Sequence, residues 1–183
     1  DSLNTTIDKI LEKKYTLVGI SCQFTNALAN CIQIADKIKK KYPDTIIISG
    51  GNHATLSPID LLKNNFDFVV FGEGEITFTE IVKQLNSSSD KELLKQIKGV
   101  GYLENGEIKR SANRELIENL DTLPIIFPDS FDDYRIYDFT KLKYINIETS
   151  RGCPYNCSFC TTSIMWGKRY RYKSPERILK EFM

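Results

Sequence analysis

The chain has 183 residues, of which 41% are hydrophobic and 27% are charged, so it can form one complete domain and part of another at roughly 100–200 residues per domain. Its 25 basic and 24 acidic residues leave a net charge of +1, which argues against a nucleic-acid partner. No apolar run reaches the roughly 18 residues of a membrane span and no secretory signal is present, so we expect a cytoplasmic protein without a membrane partner.

Helical and strand patterns alternate along the first 110 residues. The spacing of apolar residues predicts helices over 3–14, 26–41, 58–64 and 76–85. The inward face of the last helix is predicted to carry Ile76, Phe78, Ile81, Val82 and Leu85. Short apolar runs predict buried strands over 15–21, 44–49 and 66–71, and Asn105-Gly106 predicts a hairpin between 99–103 and 107–109. This order indicates an α/β fold with a doubly wound parallel sheet.

Ligands of such sheets lie at the carboxyl ends of the strands. Three loops follow the predicted strands there, at 21–25, 50–55 and 72–75, and their glycines allow a backbone to approach a ligand closely. Neither Gly50-Gly51 nor Gly72-Glu73-Gly74 matches the G-x-G-x-x-G fingerprint, so a nicotinamide or flavin cofactor has little support.

The chain changes character after the predicted hairpin. Residues 112–141 lack a clear period and contain Pro124 and Pro128, which predicts an ordered linker between two domains. A fresh strand is predicted over 143–149, so we divide the chain into a first domain at 1–111, a linker at 112–141 and the start of a second domain at 142–183.

Three cysteines follow that strand at a C-x3-C-x2-C spacing: Cys153, Cys157 and Cys160. A structural zinc site needs four ligands and an iron–sulfur cluster normally takes four thiolates. A triplet therefore predicts a [4Fe–4S] cluster with one iron open for chemistry. A zinc site that borrows a distant ligand and a redox pair of Cys157 and Cys160 are alternatives, but neither explains the place of Cys153. The two other cysteines, Cys22 and Cys31, are predicted to be reduced and buried.

The triplet, with Phe159 before its last cysteine, resembles the signature of the radical S-adenosylmethionine (SAM) superfamily. The resemblance implies that the open iron chelates SAM and that the reduced cluster cleaves it to a 5′-deoxyadenosyl radical. It also implies a reductant such as flavodoxin or ferredoxin. The flanking stretches 148–154 and 166–176 are similar to the first strand, cluster loop and first helix of the radical SAM partial (β/α) barrel, in the branch that carries an N-terminal cobalamin-binding domain.

The first domain resembles that cobalamin-binding domain through "VGIS", "GGNHAT" and "FGEGE", in this order and ahead of the triplet. The resemblance covers about residues 3–110 and the stretch "NLDTLP". The class of proteins that carries this domain includes anaerobic magnesium-protoporphyrin IX monomethyl ester oxidative cyclases. The resemblance implies that cofactors contact Ser21, Thr25, Gly50, Gly51, His53, Gly72, Glu73, Gly74, Glu75 and Phe159. Because the D-x-H-x-x-G motif is absent, it implies base-off cobalamin with no protein histidine on cobalt.

Several side chains have two readings. His53 contacts the cobalamin nucleotide tail or corrin edge, or else hydrogen-bonds its own turn. Glu73 and Glu75 bond corrin amides or cap the next helix. In one reading, Arg151, with Arg169 or Arg171, neutralises the charge of the reduced cluster or of the SAM carboxylate. In the other reading, Arg169 and Arg171 are solvated residues before a helix, for which Ser174 is the predicted N-cap and Pro175 the first residue. Trp166 is expected to pack rather than to act.

We therefore expect the chain to be a piece of a cobalamin-dependent radical SAM enzyme. We expect it to be cut at both ends, with about two βα units missing before Leu3. We assign no catalytic residue within 1–183. The parent protein would act on a small-molecule substrate by oxidative cyclisation or carbon methylation, with a porphyrin ester among the candidates, and the piece alone would be inactive. A methylthiotransferase-type radical SAM protein and a non-catalytic cobalamin-binding module are the alternatives.

Overall fold

A computed structural model describes residues 3–125 and 147–182. Its helices and strands, in chain order, are α1 (Leu3–Leu11), β1 (Leu17–Ser21), α2 (Leu28–Lys41), β2 (Ile46–Gly50), α3 (Asn52–Leu56), α4 (Pro58–Leu62), β3 (Phe68–Val70), α5 (Glu75–Ser87), β4 (Val100–Glu104), β5 (Glu107–Arg110), β6 (Ser150–Arg151), α6 (Thr162–Trp166), β7 (Arg171–Tyr172) and α7 (Pro175–Phe182). Among these residues, no helix is long and apolar enough to cross a membrane.

The first five strands form one sheet in the order β1-β2-β3-β4-β5. The pairs β1–β2 and β2–β3 are parallel, as predicted, whereas β3–β4 and β4–β5 are antiparallel, so the sheet is mixed. The predicted hairpin is therefore present and extends the parallel sheet. Its turn places Asn105 at φ 52° and Gly106 at φ 79°, the two positive angles that this tight turn requires.

Both faces of the sheet are covered, because successive residues of a strand point to opposite sides. On one face, Ile47 and Val69 pack with residues of α2 and α4, including Ile38 and Leu61. On the other face, Ile46, Ile48, Phe68 and Val70 pack against Ile81 of α5 and Leu94 of a 3₁₀ turn. Helices on both sides of a sheet that begins with parallel strands confirm the predicted α/β, Rossmann-like class.

Helix α5 buries only part of the face predicted for it. Ile81 is buried and Leu85 packs against the same core, as predicted, but Ile76, Phe78 and Val82 are exposed at 40%, 37% and 37%. Thr77 takes the inward position instead, because its hydroxyl donates to the carbonyl of Lys98 at 3.0 Å. A threonine with a satisfied hydroxyl can be buried at little cost, so the core stripe is rotated toward it.

The chain divides into two compact units, Asp1–Glu115 and Leu116–Met183. In the second unit, β6 and β7 form a two-stranded antiparallel ladder. The predicted strand over 143–149 lies partly outside the described residues, and 147–149 are not in a strand; the ladder begins at Ser150. Helix α7 begins at Pro175, and the Ser174 hydroxyl accepts from the amide of Arg177 at 3.1 Å, so the predicted cap is confirmed. The predicted linker lies outside the description from 126 to 141.

Candidate cofactor sites

The loops that follow β1 and β2 lie side by side at the carboxyl edge of the sheet. Ser21 pairs with Gly50 in register, which brings the ends of the two strands together. Beyond them, the amide of Cys22 donates to the carbonyl of Gly50 at 2.8 Å, and the amide of His53 donates to the carbonyl of Cys22 at 3.1 Å. The two predicted loops are thus brought together and fixed by backbone hydrogen bonds.

The two glycines of the second loop have different environments. Gly51 has φ 100°, and a Cβ there would lie 2.8 Å from the carbonyl oxygen of Cys22, so only glycine fits without a shift of the backbone. A Cβ on Gly50 would meet nothing within 4 Å. Gly51 is therefore needed by the fold itself, whereas Gly50 leaves open space above the strand end.

His53 is buried between the two loops, with 6% of its surface exposed. Its Nδ1 lies 3.2 Å from the hydroxyl Oγ1 of Thr25, and its Nε2 lies 3.3 Å from Oδ2 of Asp60. The second contact lacks the direction of a hydrogen bond, so Nε2 has no hydrogen-bond partner among the described residues. The ring therefore joins the first loop to the start of α4 rather than bonding only its own turn, while the predicted contact with a ligand stays a prediction.

Asn52 was not among the residues singled out from the sequence. Its side-chain oxygen Oδ1 is buried without a hydrogen-bond partner in the part of the chain that the structure describes. Its backbone amide is held by Oε1 of Gln23 at 3.4 Å, and the side-chain amide of Gln23 also donates to the hydroxyl of Ser21 at 2.9 Å. The signal in the sequence was its place directly after Gly50-Gly51, in the same loop as His53.

The third loop is tied to the second. The amide of Gly72, a residue with φ 65°, donates to the hydroxyl of Thr55 at 3.0 Å. Glu73 is buried, with 5% of its surface exposed. Helix α5 begins at Glu75, and the carbonyl of Gly74 accepts a hydrogen bond from the amide of Phe78 at 2.7 Å. All three predicted strand-end loops therefore meet at one edge of the sheet.

The two cysteines outside the triplet are buried and free, as predicted: Cys22 is 0% and Cys31 is 5% exposed. Burial, with Cys31 as a near neighbour, raises the pKa of the Cys22 thiol to about 12. Because a thiol needs its thiolate form to ligate a metal, a second cluster on this pair is disfavoured.

The cluster loop of the second unit carries the three remaining thiols at or near the surface. Cys157 is exposed, Cys153 and Cys160 are half-buried, and Phe159 is 88% exposed. The amide of Cys160 donates to the carbonyl of Cys157 at 3.1 Å, which closes a turn over the C-x2-C spacing. Cys160 Sγ lies within hydrogen-bond distance of the hydroxyl of Thr162, at 3.2 Å. Hydrogen bonds that the side chain and the backbone of Thr162 give to the sulfur lower the pKa of this thiol.

Three thiols on one exposed loop suit an iron–sulfur cluster by their chemistry. Within 3–125 and 147–182, however, no three His, Cys, Asp or Glu side chains are close enough to hold a metal ion together. The structure thus shows the triplet on one loop without gathering its sulfur atoms. Ligand loops of metal sites commonly adopt their geometry only when the metal binds.

Glycine and arginine residues hold the two ends of the cluster loop. Gly152 has φ 91°, and a Cβ there would lie 2.1 Å from the carbonyl oxygen of Arg169. The amide of Cys153 donates to the carbonyl of Gly167 at 3.1 Å. Arg151 is buried, bonds Glu148 at 2.8 Å and lies over the ring of Trp166 at 4.8 Å, so that tryptophan packs as expected.

The reading of Arg171 as a solvated position is wrong. This residue is 3% exposed and donates to the backbone carbonyls of Ile117 and Trp166, the latter at 2.8 Å. Its physical role is to satisfy two carbonyl groups inside the second unit. Arg169 does lie at the surface, where it pairs with Glu118 at 2.8 Å.

Comparison with known proteins places the first unit in a known family. The family model described as "B12 binding domain" matches residues 2–82, a range that includes all three strand-end loops. The chain is 36% identical over 180 residues to an uncharacterized methyltransferase of Pyrococcus horikoshii. The aligned region covers 96% of this chain and 38% of that protein. It is 29% identical to the anaerobic magnesium-protoporphyrin IX monomethyl ester cyclase of Cereibacter sphaeroides, over 86% of this chain and 26% of the cyclase.

A solved structure has the same fold. The radical SAM methyltransferase TsrM from Kitasatospora setae matches 100% of this chain with a TM-score of 0.70, at 16% identity and over 37% of its own length. This likeness concerns the fold alone. The chain spans well under half the length of each of these proteins. By its B12-binding domain, its cysteine triplet and these relatives, the chain belongs to the cobalamin (B12)-binding radical SAM family.

Proposed function

We propose that the chain binds cobalamin at the carboxyl edge of its mixed sheet, through the loops at 21–25, 50–55 and 72–75. The observation that supports this most is that the B12-binding domain match at 2–82 covers the three loops that the structure ties together. The open space over Gly50 gives a ligand room there, and the exposed residues Ser21 and Thr25 are polar neighbours of that space.

We further propose that cobalamin is bound base-off, without a protein histidine on cobalt. His53 is the one histidine of the chain. Both of its ring nitrogens face protein groups, Thr25 on one side and Asp60 on the other, and the ring is 6% exposed. These contacts support a site in which His53 would not be the ligand of cobalt.

We propose that Cys153, Cys157 and Cys160 hold a [4Fe–4S] cluster whose fourth iron takes SAM. When bound, this group would supply the electron for reductive cleavage of SAM, with flavodoxin or ferredoxin as the reductant. The chain's own contribution is to present three thiols on one loop, with Thr162 favouring the thiolate of Cys160. Gly152 and Gly167 fix where that loop leaves and returns.

For the reaction of the whole protein, we propose methyl transfer to a carbon atom of a small molecule. The names of relatives support this class: besides the archaeal methyltransferase, the chain is 28% identical to the cytidylyl-2-hydroxyethylphosphonate methyltransferase of Streptomyces wedmorensis. Oxidative cyclisation, with a porphyrin ester as substrate, is the second candidate because of the 29% identical cyclase. A methylthiotransferase is a third candidate, because the chain is 32% identical to the protein named "Putative methylthiotransferase MJ0865" of Methanocaldococcus jannaschii over 96% of this chain. The burial of Cys22 and Cys31, with the raised pKa of Cys22, argues against a second cluster on this pair.

The test is an anaerobic titration of the full-length protein with hydroxocobalamin, followed by ultraviolet–visible absorption. A variant with Cys153, Cys157 and Cys160 changed to alanine serves as the control. We expect saturable binding with a base-off spectrum in both proteins, and iron and sulfide in the wild type only. If neither protein binds cobalamin, the proposal for the first unit is wrong. If iron content survives the triple substitution, the proposal for the second unit is wrong.

The reaction is tested separately with the reconstituted wild type, SAM and a chemical reductant. Formation of 5′-deoxyadenosine supports reductive cleavage of SAM, and none is expected from the triple-alanine variant. Transfer of a labelled methyl group from SAM to cobalamin would then favour methylation over cyclisation.

A further inference from the structure

A solvent-open cavity of about 480 Å³ lies beside α5 in the first unit. Its walls come from α5, from the 3₁₀ turn Lys91–Gln96 with the two residues after it, and from the end of the segment that follows the β4–β5 hairpin. None of the lining residues belongs to the loops at 21–25, 50–55 and 72–75 that are proposed for cobalamin. The volume is in the range of small-molecule sites, so the cavity can hold a ligand of its own.

Two ion pairs bring equal numbers of positive and negative groups to this cavity. Arg114 pairs with Glu80, and Lys98 pairs with Glu115 at 3.0 Å. A ligand with only one sign of charge would meet a like charge on one member of each pair, which is unfavourable. A ligand that carries both an ammonium and a carboxylate group can face both members of each pair.

The first pair leaves one donor group and one acceptor atom for such a ligand. Arg114 is fixed, with 12% of its side chain exposed: its Nε donates to the hydroxyl of Thr77 at 2.7 Å and its Nη2 donates to Oε2 of Glu80. Within the described residues, Nη1 of Arg114 has no acceptor and Oε1 of Glu80 has no donor. Because a guanidinium binds a carboxylate and a carboxylate binds an ammonium by charge-assisted hydrogen bonds, Nη1 and Oε1 together fit a zwitterion.

The second pair can exchange partners with a ligand at little cost. The side chains of Lys98 and Glu115 are 50% and 78% exposed, and ion pairs of that exposure contribute little to stability. Lys98 would then face the carboxylate of the ligand, and Glu115 would face its ammonium group.

The rest of the lining consists of two amides and two apolar side chains. The side-chain amides of Gln84 and Gln96 form no hydrogen bond with the part of the chain that the structure describes, so both can still donate and accept. Leu93 and Ile97 are half-buried and border the same space. Apolar surface beside a few polar groups is typical of small-molecule sites, and this surface suits an aliphatic group.

We infer that this cavity binds an α-amino acid with an aliphatic side chain. Its carboxylate lies against Arg114 and Lys98, its ammonium group lies against Glu80 and Glu115, and its side chain lies against the apolar wall. The cavity contains no residue of the three strand-end loops or of the cysteine loop. The inference therefore concerns a ligand separate from both cofactors and does not depend on the proposed function.

The test is isothermal titration calorimetry of the full-length protein with L-leucine and with two analogues that each lack one charged group. The analogues are 4-methylpentanoate, without the ammonium group, and 3-methylbutylamine, without the carboxylate. We expect L-leucine to bind with a Kd below about 1 mM and each analogue to bind at least about tenfold more weakly. Absence of L-leucine binding, or an analogue that binds as tightly as L-leucine, would overturn the inference.

Variants connect the binding to the cavity. Glu80→Gln keeps the shape of the side chain but removes the charge that faces the ammonium group, so the Kd for L-leucine should rise by about ten- to a hundredfold. Gln84→Phe fills the cavity with a ring and should abolish binding. The matched control is Lys83→Phe, at the exposed neighbouring position of the same helix and outside the cavity lining, which should leave the affinity unchanged.

Circular dichroism shows whether each variant is folded. If Glu80→Gln is unfolded because Arg114 has lost its partner, the comparison of Gln84→Phe with Lys83→Phe decides. Equal affinity for L-leucine in these two folded variants would show that the amino acid binds elsewhere, and would contradict the assignment of the cavity.

Discussion

The guanidinium of Arg114 donates through Nε to the hydroxyl of Thr77 at 2.7 Å, although 37 positions separate the two residues. Arg114 also donates to the carboxylate of Glu80, and the Thr77 hydroxyl donates to the carbonyl of Lys98 at 3.0 Å. The segment that follows the β4–β5 hairpin is thereby fixed to the buried stripe of α5. This network explains how a threonine replaces an apolar residue on the core face of that helix.

The first prediction concerns this network. Thr77→Val keeps the shape of the side chain but removes the hydroxyl that bridges Nε of Arg114 and the carbonyl of Lys98, which then keep only their direct bond at 3.3 Å. We therefore expect a loss of about 1–2 kcal/mol in the free energy of unfolding. Urea unfolding followed by circular dichroism measures it. The control is Thr79→Val in the same helix, where the exposed hydroxyl donates to the carbonyl of Glu75 and the cost should stay under about 0.5 kcal/mol. Equal losses for the two variants would contradict the network.

The second prediction uses the two adjacent glycines after β2. Gly51→Ala places a Cβ 2.8 Å from the Cys22 carbonyl at a positive φ, so we expect it to destabilise the ligand-free protein by about 1–3 kcal/mol. Gly50→Ala has open space around the new Cβ, so stability should change by less than about 0.5 kcal/mol. Thermal unfolding of both variants measures this contrast.

The same pair reports on the ligand. If cobalamin lies over the strand end, the methyl group of Gly50→Ala fills space that the cofactor needs, and affinity for hydroxocobalamin should fall although the fold is intact. Unchanged affinity in that variant would place the ligand away from Gly50.

The third prediction is a pH dependence that originates at Cys22. Its pKa is raised to about 12 by burial, from an ordinary value near 9. Between these two values the folded state holds a proton that the unfolded state has lost, so the stability from this thiol is complete below about pH 9 and is lost as pH rises toward 12. Cys22→Ala should therefore flatten the decline in stability over this range, measured by urea unfolding at several pH values. An unchanged slope in Cys22→Ala would contradict an origin of this pH dependence at Cys22.

The fourth prediction compares two arginines beside the cluster loop. Arg171→Leu removes a buried guanidinium that bonds the carbonyls of Ile117 and Trp166, so we expect a loss of about 1.5–3 kcal/mol in the second unit. Arg169→Leu removes a pair between groups that are 74% and 64% exposed, and should cost less than about 1 kcal/mol. Amide hydrogen exchange over 116–125 and 165–172 is the measurement. Similar exchange in the two variants would show that Arg171 does not organise this unit.

Local patterns in the sequence were sufficient for much of the fold. Short β-branched runs predicted β1, β2 and β3, Asn105-Gly106 predicted the hairpin, and Ser174-Pro175 predicted the start of α7. Each of these depends on residues close together in the chain, where turn geometry and capping act. The three strand-end loops and the cysteine triplet could be found for the same reason, since a strand followed by glycines and a fixed cysteine spacing are local features.

The tertiary structure alone decided which of these residues meet and which are buried. The contact of Thr25 with His53 spans 28 positions, and the unbonded oxygen of Asn52 is defined only by what surrounds it. Likewise, Arg171 is buried with hydrogen bonds to two backbone carbonyls. Thr77 is buried with a hydrogen bond to the carbonyl of Lys98, while its neighbour Phe78 is exposed. Sequence period fixes the spacing of side chains along an element, but burial and hydrogen bonding depend on the elements that pack against it, and those partners come from distant parts of the chain.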